Sequence, residues 1–316
     1  MTDLIGSDAA LETLRPEWSE LWDRCPGATP FQSPEWLLAW WHAFHPGRLA
    51  VAALRREGRL AGLAPLYLDG RAARPVGISV SDYLDVLIEP GPSGEGLTQM
   101  LECSAGAGWD ICEWPDLPAS SPFLEQAPAA ATQVCPVAAL PARLRPGLRR
   151  NLRRYRERLE RSGETVFETA RTPAPLEDLF RLHGARWHAR GGPGVLDSVA
   201  VRALHKEAAA GFAARGWLRF YALRHCGAAI AIIYAFACRE RLYLYLGGFD
   251  PAFAKYGPST LLTGYALEDA AREGLAEADF LRGPERYKYE WGARDRATYT
   301  ARMSVVAGKL DFTVAT

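Results

Sequence analysis

The sequence predicts an α+β (mixed α/β) protein built from two tandem copies of one domain. Three observations lead there: a hexapeptide recurs, the same order of elements follows each copy, and the length suits two domains. Ala53-Leu54-Arg55-Arg56-Glu57-Gly58 returns as Ala222-Leu223-Arg224-His225-Cys226-Gly227. Each copy sits between two apolar stretches, Leu49 to Leu68 and Leu218 to Ala237. An apolar run, a short polar turn with glycine and a second apolar run spell a β-hairpin. The 316 residues match two domains of about 100–200 residues each.

The elements follow in order. After its hairpin the first copy predicts a strand (Tyr83 to Glu89), the tripeptide Gly91-Pro92-Ser93, a helix (Gly96 to Ser104) and a strand (Trp109 to Trp114). The second predicts a strand (Leu242 to Phe249), Gly257-Pro258-Ser259, a helix (Thr260 to Glu273) and a strand (Ala278 to Arg282). Between the copies, Arg143 to Arg161 carries nine Arg and two Glu. Leu144, Leu148, Leu152, Tyr155 and Leu159 recur every three or four residues there, which makes an amphipathic helix after Pro146. Two more helices are expected, Leu176 to His188 and Val199 to Arg215, with Gly191-Gly192-Pro193-Gly194 breaking the chain between them. Trp36, Trp40 and Trp41 fall at helical spacing and read as core or interface packing.

Formal net charge is zero, but the zero is a sum of opposed halves. Residues 1–140 hold 8 Arg and no Lys against 18 Asp and Glu, while residues 141–316 hold 29 Lys and Arg against 19 acids. The change of sign and the repeat together place a domain boundary near residue 145, giving domains 1–145 and 146–316. The N-terminus shows no signal-peptide pattern. The longest apolar run, Gly227 to Cys238, is about 12 residues against the roughly 20 that span a bilayer. The six cysteines form no CxxC pair and read as buried, reduced thiols of a cytoplasmic protein.

Three stretches can carry chemistry. In Tyr245 to Leu262 a strand runs through a loop with Lys255 and Gly257 into a helix beginning near Ser259. A helix N-terminus offers unpaired N–H groups and partial positive charge, an anion site of the kind that holds pyrophosphate. Gly257 admits close approach, Ser259 can cap the helix and Lys255 adds a point charge. No Walker or Rossmann fingerprint is present. In Phe280 to Trp291, the next strand leads into a cluster that holds Arg282, Glu285, Tyr287, Lys288 and Glu290; a Tyr hydroxyl, a Lys ammonium and a carboxylate there are able to transfer protons. In Ser81-Asp82-Tyr83-Leu84-Asp85, carboxylates three apart on a strand point to opposite faces, so they are no acid–base dyad, though one can face a cleft. His183 and His188, five apart, are poorly spaced to share a metal on a helix, and no metal site is expected.

These stretches resemble GNAT acyltransferases, in particular the FemABX-like and CelD-like branch with two tandem GNAT-like domains, each a mixed central sheet flanked by helices. The resemblance runs from about Trp18 to Arg302 and rests on Phe31 to Trp41, Ser81 to Gly91, Leu148 to Glu164, Arg186-Trp187 and, most specifically, Gly247 to Leu262 followed by Asp279 to Gly292. One departure is Gly257-Pro258, where the family loop often reads Pro-Gly; Pro258 removes a donor. The resemblance implies transfer of an acyl group from acetyl-CoA or another acyl-CoA to an amine, in a ternary complex, the amine belonging to a small molecule or cell-envelope precursor. It implies donor binding by Lys255, Tyr256, Gly257, Ser259, Thr260 and Leu261. Tyr287 and Lys288 are then the catalytic candidates. Asp82, Tyr83 and Asp85 would line the acceptor pocket, and Arg186 and Arg282 would contact anions. Aminoacyl transfer from tRNA and a catalytically silent GNAT-like scaffold remain the alternatives.

Overall fold

Both copies of the hexapeptide close a hairpin, and with the same irregularities. In the first, Val51–Arg56 pairs antiparallel with Arg59–Ala64 around Glu57 (φ 52°) and Gly58 (φ 78°). In the second, Leu218–His225 pairs with Ala228–Cys238 around Cys226 (φ 47°) and Gly227 (φ 82°). Two successive left-handed residues make the tight turn whose twist suits a hairpin. Each ladder shifts register at the equivalent place, Leu54/Arg55 and Leu223/Arg224. In each, the arginine after the shift donates from Nη1 to the turn glycine's carbonyl, Arg55 to Gly58 at 3.2 Å and Arg224 to Gly227 at 3.3 Å. Coincidence of turn, bulge and hydrogen bond at constant offset supports duplication more strongly than six letters can.

In chain order the strands are β1 (Thr2–Ile5), β2 (Arg48–Leu49), β3 (Val51–Arg56), β4 (Arg59–Ala64), β5 (Leu66–Asp69), β6 (Ala72–Pro75), β7 (Leu87–Ile88), β8 (Ile111–Pro118), β9 (Ala129–Ala139), β10 (Thr165–Ala170), β11 (Leu218–His225), β12 (Ala228–Cys238), β13 (Arg241–Phe249), β14 (Glu277–Asp279), β15 (Arg294–Val306) and β16 (Lys309–Asp311). The helices are α1 (Asp8–Thr13), α2 (Arg15–Arg24), α3 (Pro34–Phe44), α4 (Ser93–Ala105), α5 (Phe123–Gln126), α6 (Pro146–Glu160), α7 (Leu176–His188), α8 (Val199–Ala214), α9 (Pro258–Arg272) and α10 (Arg286–Tyr289).

The structure is a computed structural model that describes residues 1–91, 93–189 and 191–312. They divide into two compact units, Met1–Gln133 with the chain from Ala297 onward, and Val134–Arg296. These limits differ from a single break at residue 145. The C-terminal strand returns to the first unit, where β15 pairs antiparallel with β8 over Thr298 to Ser304. Residues 137–139 of β9 join the second unit by pairing with β14.

The second unit is a sheet in the order β10-β11-β12-β13-β14-β9, antiparallel except for the parallel pair β13–β14. Side chains alternate across it. Tyr221, Leu223, Ala231, Ile233 and Ala235 form one core with Leu159 of α6 and Leu261, Leu262 and Ala266 of α9. On the other face Phe236 meets Phe212 of α8 (ring centroids 4.6 Å apart) and Phe220 stacks on Tyr234 (4.8 Å).

In the first unit two sheets form, β1-β3-β4-β7 and the path β15-β8-β6-β5-β2. The strand after the helix, β8, pairs in parallel with β6, part of a hairpin inserted at residues 66–75. The strand expected over Tyr83 to Glu89 shrinks to Leu87–Ile88. The N–H of Leu84 goes to the Asp116 carbonyl (3.1 Å), and that of Val86 to the Asp85 carboxylate (2.9 Å), so neither serves a ladder. Pro92 of the tripeptide lies outside the described residues. Trp36, Trp40 and Trp41 on α3 are core residues, 0%, 3% and 1% exposed.

Cys25, Cys112, Cys135 and Cys238 are buried, but Cys226 is exposed because the tight turn holds it outside the sheet. Among the described residues no helix is long and apolar enough to cross a membrane.

Candidate active site

The parallel pair opens almost as soon as it forms. β13 pairs with β14 only where Arg241–Tyr243 meets Glu277–Asp279, yet β13 continues to Phe249. Just past the opening its register with β12 shifts. Leu244 faces Ala235 and Leu246 faces Tyr234, which leaves Tyr245 as the extra residue. A bulge disrupts the ladder and bends the strand. A gap at the carboxyl ends of two parallel strands is where ligands bind in sheets of this kind. α7 closes one side of β13: a Cβ on Gly248 would lie 2.3 Å from the His183 nitrogen, so only glycine lets the two backbones touch.

Below the gap, Asp250 caps a 3-10 turn over Pro251–Tyr256, its carboxylate accepting from the Ala252 N–H at 2.9 Å. Gly257 follows at φ 59° and is the residue from which α9 starts, with Pro258 as first residue and no side-chain cap. Ser259 is therefore inside the first turn and does not cap it. The first intrahelical acceptor bond is Leu261 N–H to the Gly257 carbonyl (3.0 Å), so the N–H groups of Ser259 and Thr260 precede the helical ladder and Pro258 contributes none. Gly257 is required twice, by its φ and because a Cβ would lie 2.6 Å from the Tyr155 ring. Lys255 is exposed, its Nζ 5.1 Å from the Tyr256 ring centroid, and Arg158 approaches the same ring at 5.6 Å while donating to the Lys255 carbonyl at 3.4 Å. Leu261, 3% exposed, packs inward. The other five expected donor-binding residues are not buried.

α6 lies against this loop. Leu148 and Leu159 are buried, and Arg149, Arg150, Arg153, Arg154, Arg156 and Arg158 are exposed. Among the described residues the ion pair recorded for this set is Arg153–Glu157 at 3.9 Å. Elsewhere arginines such as Arg219 and Arg241 meet carboxylates at 2.6 and 2.8 Å. The exposed side of the helix is predominantly cationic.

The segment after β14 holds the predicted catalytic pair, with contrasting roles. Lys288 is 2% exposed. Its Nζ donates to the carbonyls of Leu281 (2.9 Å), Arg282 (2.8 Å) and Gly283 (2.9 Å) and pairs with Glu285 Oε2 at 2.8 Å. With three protons engaged in this way, the ammonium clamps the loop. The loop needs it: Leu281 sits at φ 58°, its N–H held by the buried Asp279 carboxylate at 2.9 Å.

Tyr287 is 51% exposed, with its ring 6.4 Å from Phe280. Crowding by protein and the Glu285 charge push its phenol up to about 12, and Arg186 opposes the rise. At neutral pH it is protonated and can donate a hydrogen bond. Burial raises the Glu285 carboxyl, but hydrogen bonds from Lys288 and its own N–H, then the Lys288 and Arg186 charges, bring it below the usual range. Arg186 reaches the gap from α7, donating to the Gly247 carbonyl at 3.4 Å and lying 5.7 Å from the Phe249 ring centroid. Arg282, partly buried, contributes its carbonyl to the Lys288 cage.

In the first unit the three acceptor candidates separate. Tyr83 is core, 2% exposed, its carbonyl accepting from Gln32 Nε2 at 2.9 Å. Asp82 is partly buried. Asp85 lines a cleft of about 310 Å³ with Gln32, Ser120 and Glu125. Burial pushes its carboxyl up to about 7 against hydrogen bonds from the Ser121 hydroxyl (2.8 Å) and the Val86 N–H. Among the described residues no group of three or more His, Cys, Asp or Glu stands together for a metal. His183, 3% exposed, accepts at Nε2 from the Trp187 indole (3.0 Å), and burial pushes it down to about 4, so it stays neutral.

Sequence reasoning placed Glu285 only within the Phe280 to Trp291 cluster and Tyr155 only on the apolar face of α6, and it missed the bulge at Tyr245. Gly283 was the available signal for Glu285, since a Cβ there would lie 2.7 Å from the Glu285 carboxylate. No residue pattern marks the bulge.

In the second unit the strand that leaves the opened parallel pair runs through the 3-10 turn Pro251–Tyr256 into a helix without a side-chain cap. Residues 147–289 match the family described as acetyltransferase (GNAT) domain. That match lies within the second unit. Among solved structures it is similar to FemX (TM-score 0.65, 10% identity, covering 90% of this chain and 95% of that one). It is also similar to the DUF2156 domain of a protein from Agrobacterium fabrum assigned as a lysylphosphatidylglycerol synthetase (0.64, 11%, 92% and 91%). A third likeness is to L-PGS from Bacillus licheniformis (0.59, 13%, 85% and 91%). At these identities the likeness is one of fold. A search of curated proteins gave no match.

Proposed function

We propose that the protein is a cytoplasmic N-acyltransferase that moves an acyl group from acyl-CoA to the amine of a small-molecule or envelope-precursor acceptor, directly and without a covalent enzyme intermediate. The observation that carries this reading is the coincidence, within one unit, of the strand gap at Tyr245 with the uncapped N-terminus of α9. The amides of Ser259 and Thr260, with Lys255, take the pyrophosphate; Tyr256 and Gly257 shape the approach. The acceptor nitrogen attacks the thioester carbonyl, the C–N bond forms, the C–S bond breaks, the nitrogen's proton leaves to solvent, and the sulfur departs as a thiolate that takes a proton from solvent. Tyr287, protonated at neutral pH, donates a hydrogen bond to the developing oxyanion or the leaving sulfur. Lys288 serves by holding the loop. Asp82, Asp85, Arg186 and Arg282 are assigned to substrate, whereas Tyr83, being core, supports its neighbours.

A second reading rests on α6. Its exposed arginines suit a longer phosphate chain, as in aminoacyl-tRNA, better than they suit one pyrophosphate. Thermal stabilisation of wild type and Lys255→Ala by acetyl-CoA, longer acyl-CoAs and tRNA tests both. A ligand at 100 times its Kd adds about 2.7 kcal/mol. No shift with any CoA ester, beside tRNA binding whose affinity falls steeply with salt, refutes the preferred reading. No shift with either leaves a silent scaffold.

A further inference from the structure

We propose that Glu285 is the group that receives the acceptor, docking its ammonium form beside Tyr287. This rests on the reading of the site as an amine acyltransferase.

A carboxylate is held here with unusual care. Oε2 is fixed on the Lys288 ammonium at 2.8 Å, and that ammonium is itself caged by the three carbonyls of residues 281–283. Burying an ammonium is costly unless its protons are all engaged, and here they are. Gly283 lets the carboxylate lie against the loop, since a Cβ would stand 2.7 Å from it. The Glu285 side chain nonetheless remains 57% exposed. A carboxylate offers about four acceptor positions, and the Lys288 contact and the residue's own N–H leave the outward ones for a ligand. The loop starts where β14 ends, at the open end of the parallel pair.

The chemistry matches an amine. At neutral pH an aliphatic amine arrives as an ammonium, and it needs an ionised partner. Glu285 is ionised there, and its charge is felt by the Tyr287 phenol. Arg186 bears on the same carboxylate. With Lys288 and Arg186 already facing the carboxylate, the docked ammonium is a third cation, which eases loss of the proton it must shed before attack.

The test is calorimetric titration of the full chain with 1,4-diaminobutane and with uncharged 1,4-butanediol, in wild type and Glu285→Gln. Wild type is expected to bind the diammonium in preference to the diol. Glu285→Gln should weaken diammonium binding about ten- to hundredfold, the worth of a charged hydrogen bond. Acetyl-CoA titrated into both proteins reports separately on the donor site and on folding. Diammonium binding unchanged in Glu285→Gln, or none by wild type, overturns the assignment even when acetyl-CoA binds. Loss of acetyl-CoA binding in wild type instead strikes the acyltransferase reading.

Discussion

Replacing Gly257 by alanine meets two separable penalties. The left-handed conformation (φ 59°) costs an L-residue about 1–2 kcal/mol. The new methyl would lie 2.6 and 2.7 Å from Cδ2 and Cε2 of Tyr155, so the ring, packed in the core between α6 and the sheet, must yield. Overpacking of this kind costs about 1–3 kcal/mol. Together the loss is about 2–5 kcal/mol, which at roughly 2–4 °C per kcal/mol for a domain of this size lowers the second unit's melting transition by roughly 4–20 °C. A double-mutant cycle in urea with Tyr155→Ala isolates the steric part. Gly257→Ala should cost about 1–3 kcal/mol less when the ring is absent. Coupling within about 0.5 kcal/mol of zero would show that the loop does not rest on Tyr155, and the geometry assigned to the phosphate loop would fall with it.

Other consequences are as definite. Because the folded-state carboxyl of Asp85 lies at about 7, above its unfolded value of roughly 3.9, the native state binds the extra proton. Its stabilising effect is therefore present at low pH and lost as pH rises from about 4 through 7. Asp85→Asn should flatten that decline in urea-unfolding profiles, and a parallel decline in both proteins would refute the burial. Lys288→Met orphans three carbonyls and the Glu285 charge, and should cost at least about 3 kcal/mol, more than Glu285→Gln does; equal losses would contradict the cage. Gly248→Ala drives a methyl into the backbone of α7 and should prevent native expression or cost more than about 3 kcal/mol, read by circular dichroism and denaturant midpoint.

Much of the second unit was legible in the residues. Leu176–His188 was read to the residue, and the arginine helix began at Pro146 as expected, because their apolar faces repeat with helical period. The loop from Asp250 to Pro258 was legible because glycine and proline mark backbone that other residues cannot adopt. The first unit was harder. The strand at Tyr83 to Glu89 has the right alternation, yet Asp85 takes the Val86 N–H for itself, a competition that composition does not reveal. Lys288 illustrates the same limit at the site. A lysine beside a tyrosine reads as chemistry, and only three carbonyls from residues 281–283 make it an anchor.

By itself, then, the sequence determined the duplication, the helical and strand periods, the charge of α6 and the position of the glycine–proline loop before α9. All of these depend on neighbours within a few residues or on a repeat. The tertiary structure decided where β13 parts from β14, which carboxylates are buried or held outward, and that the C-terminal strand closes on the first unit. Those depend on contacts between residues far apart in the chain, whose energies no local pattern encodes.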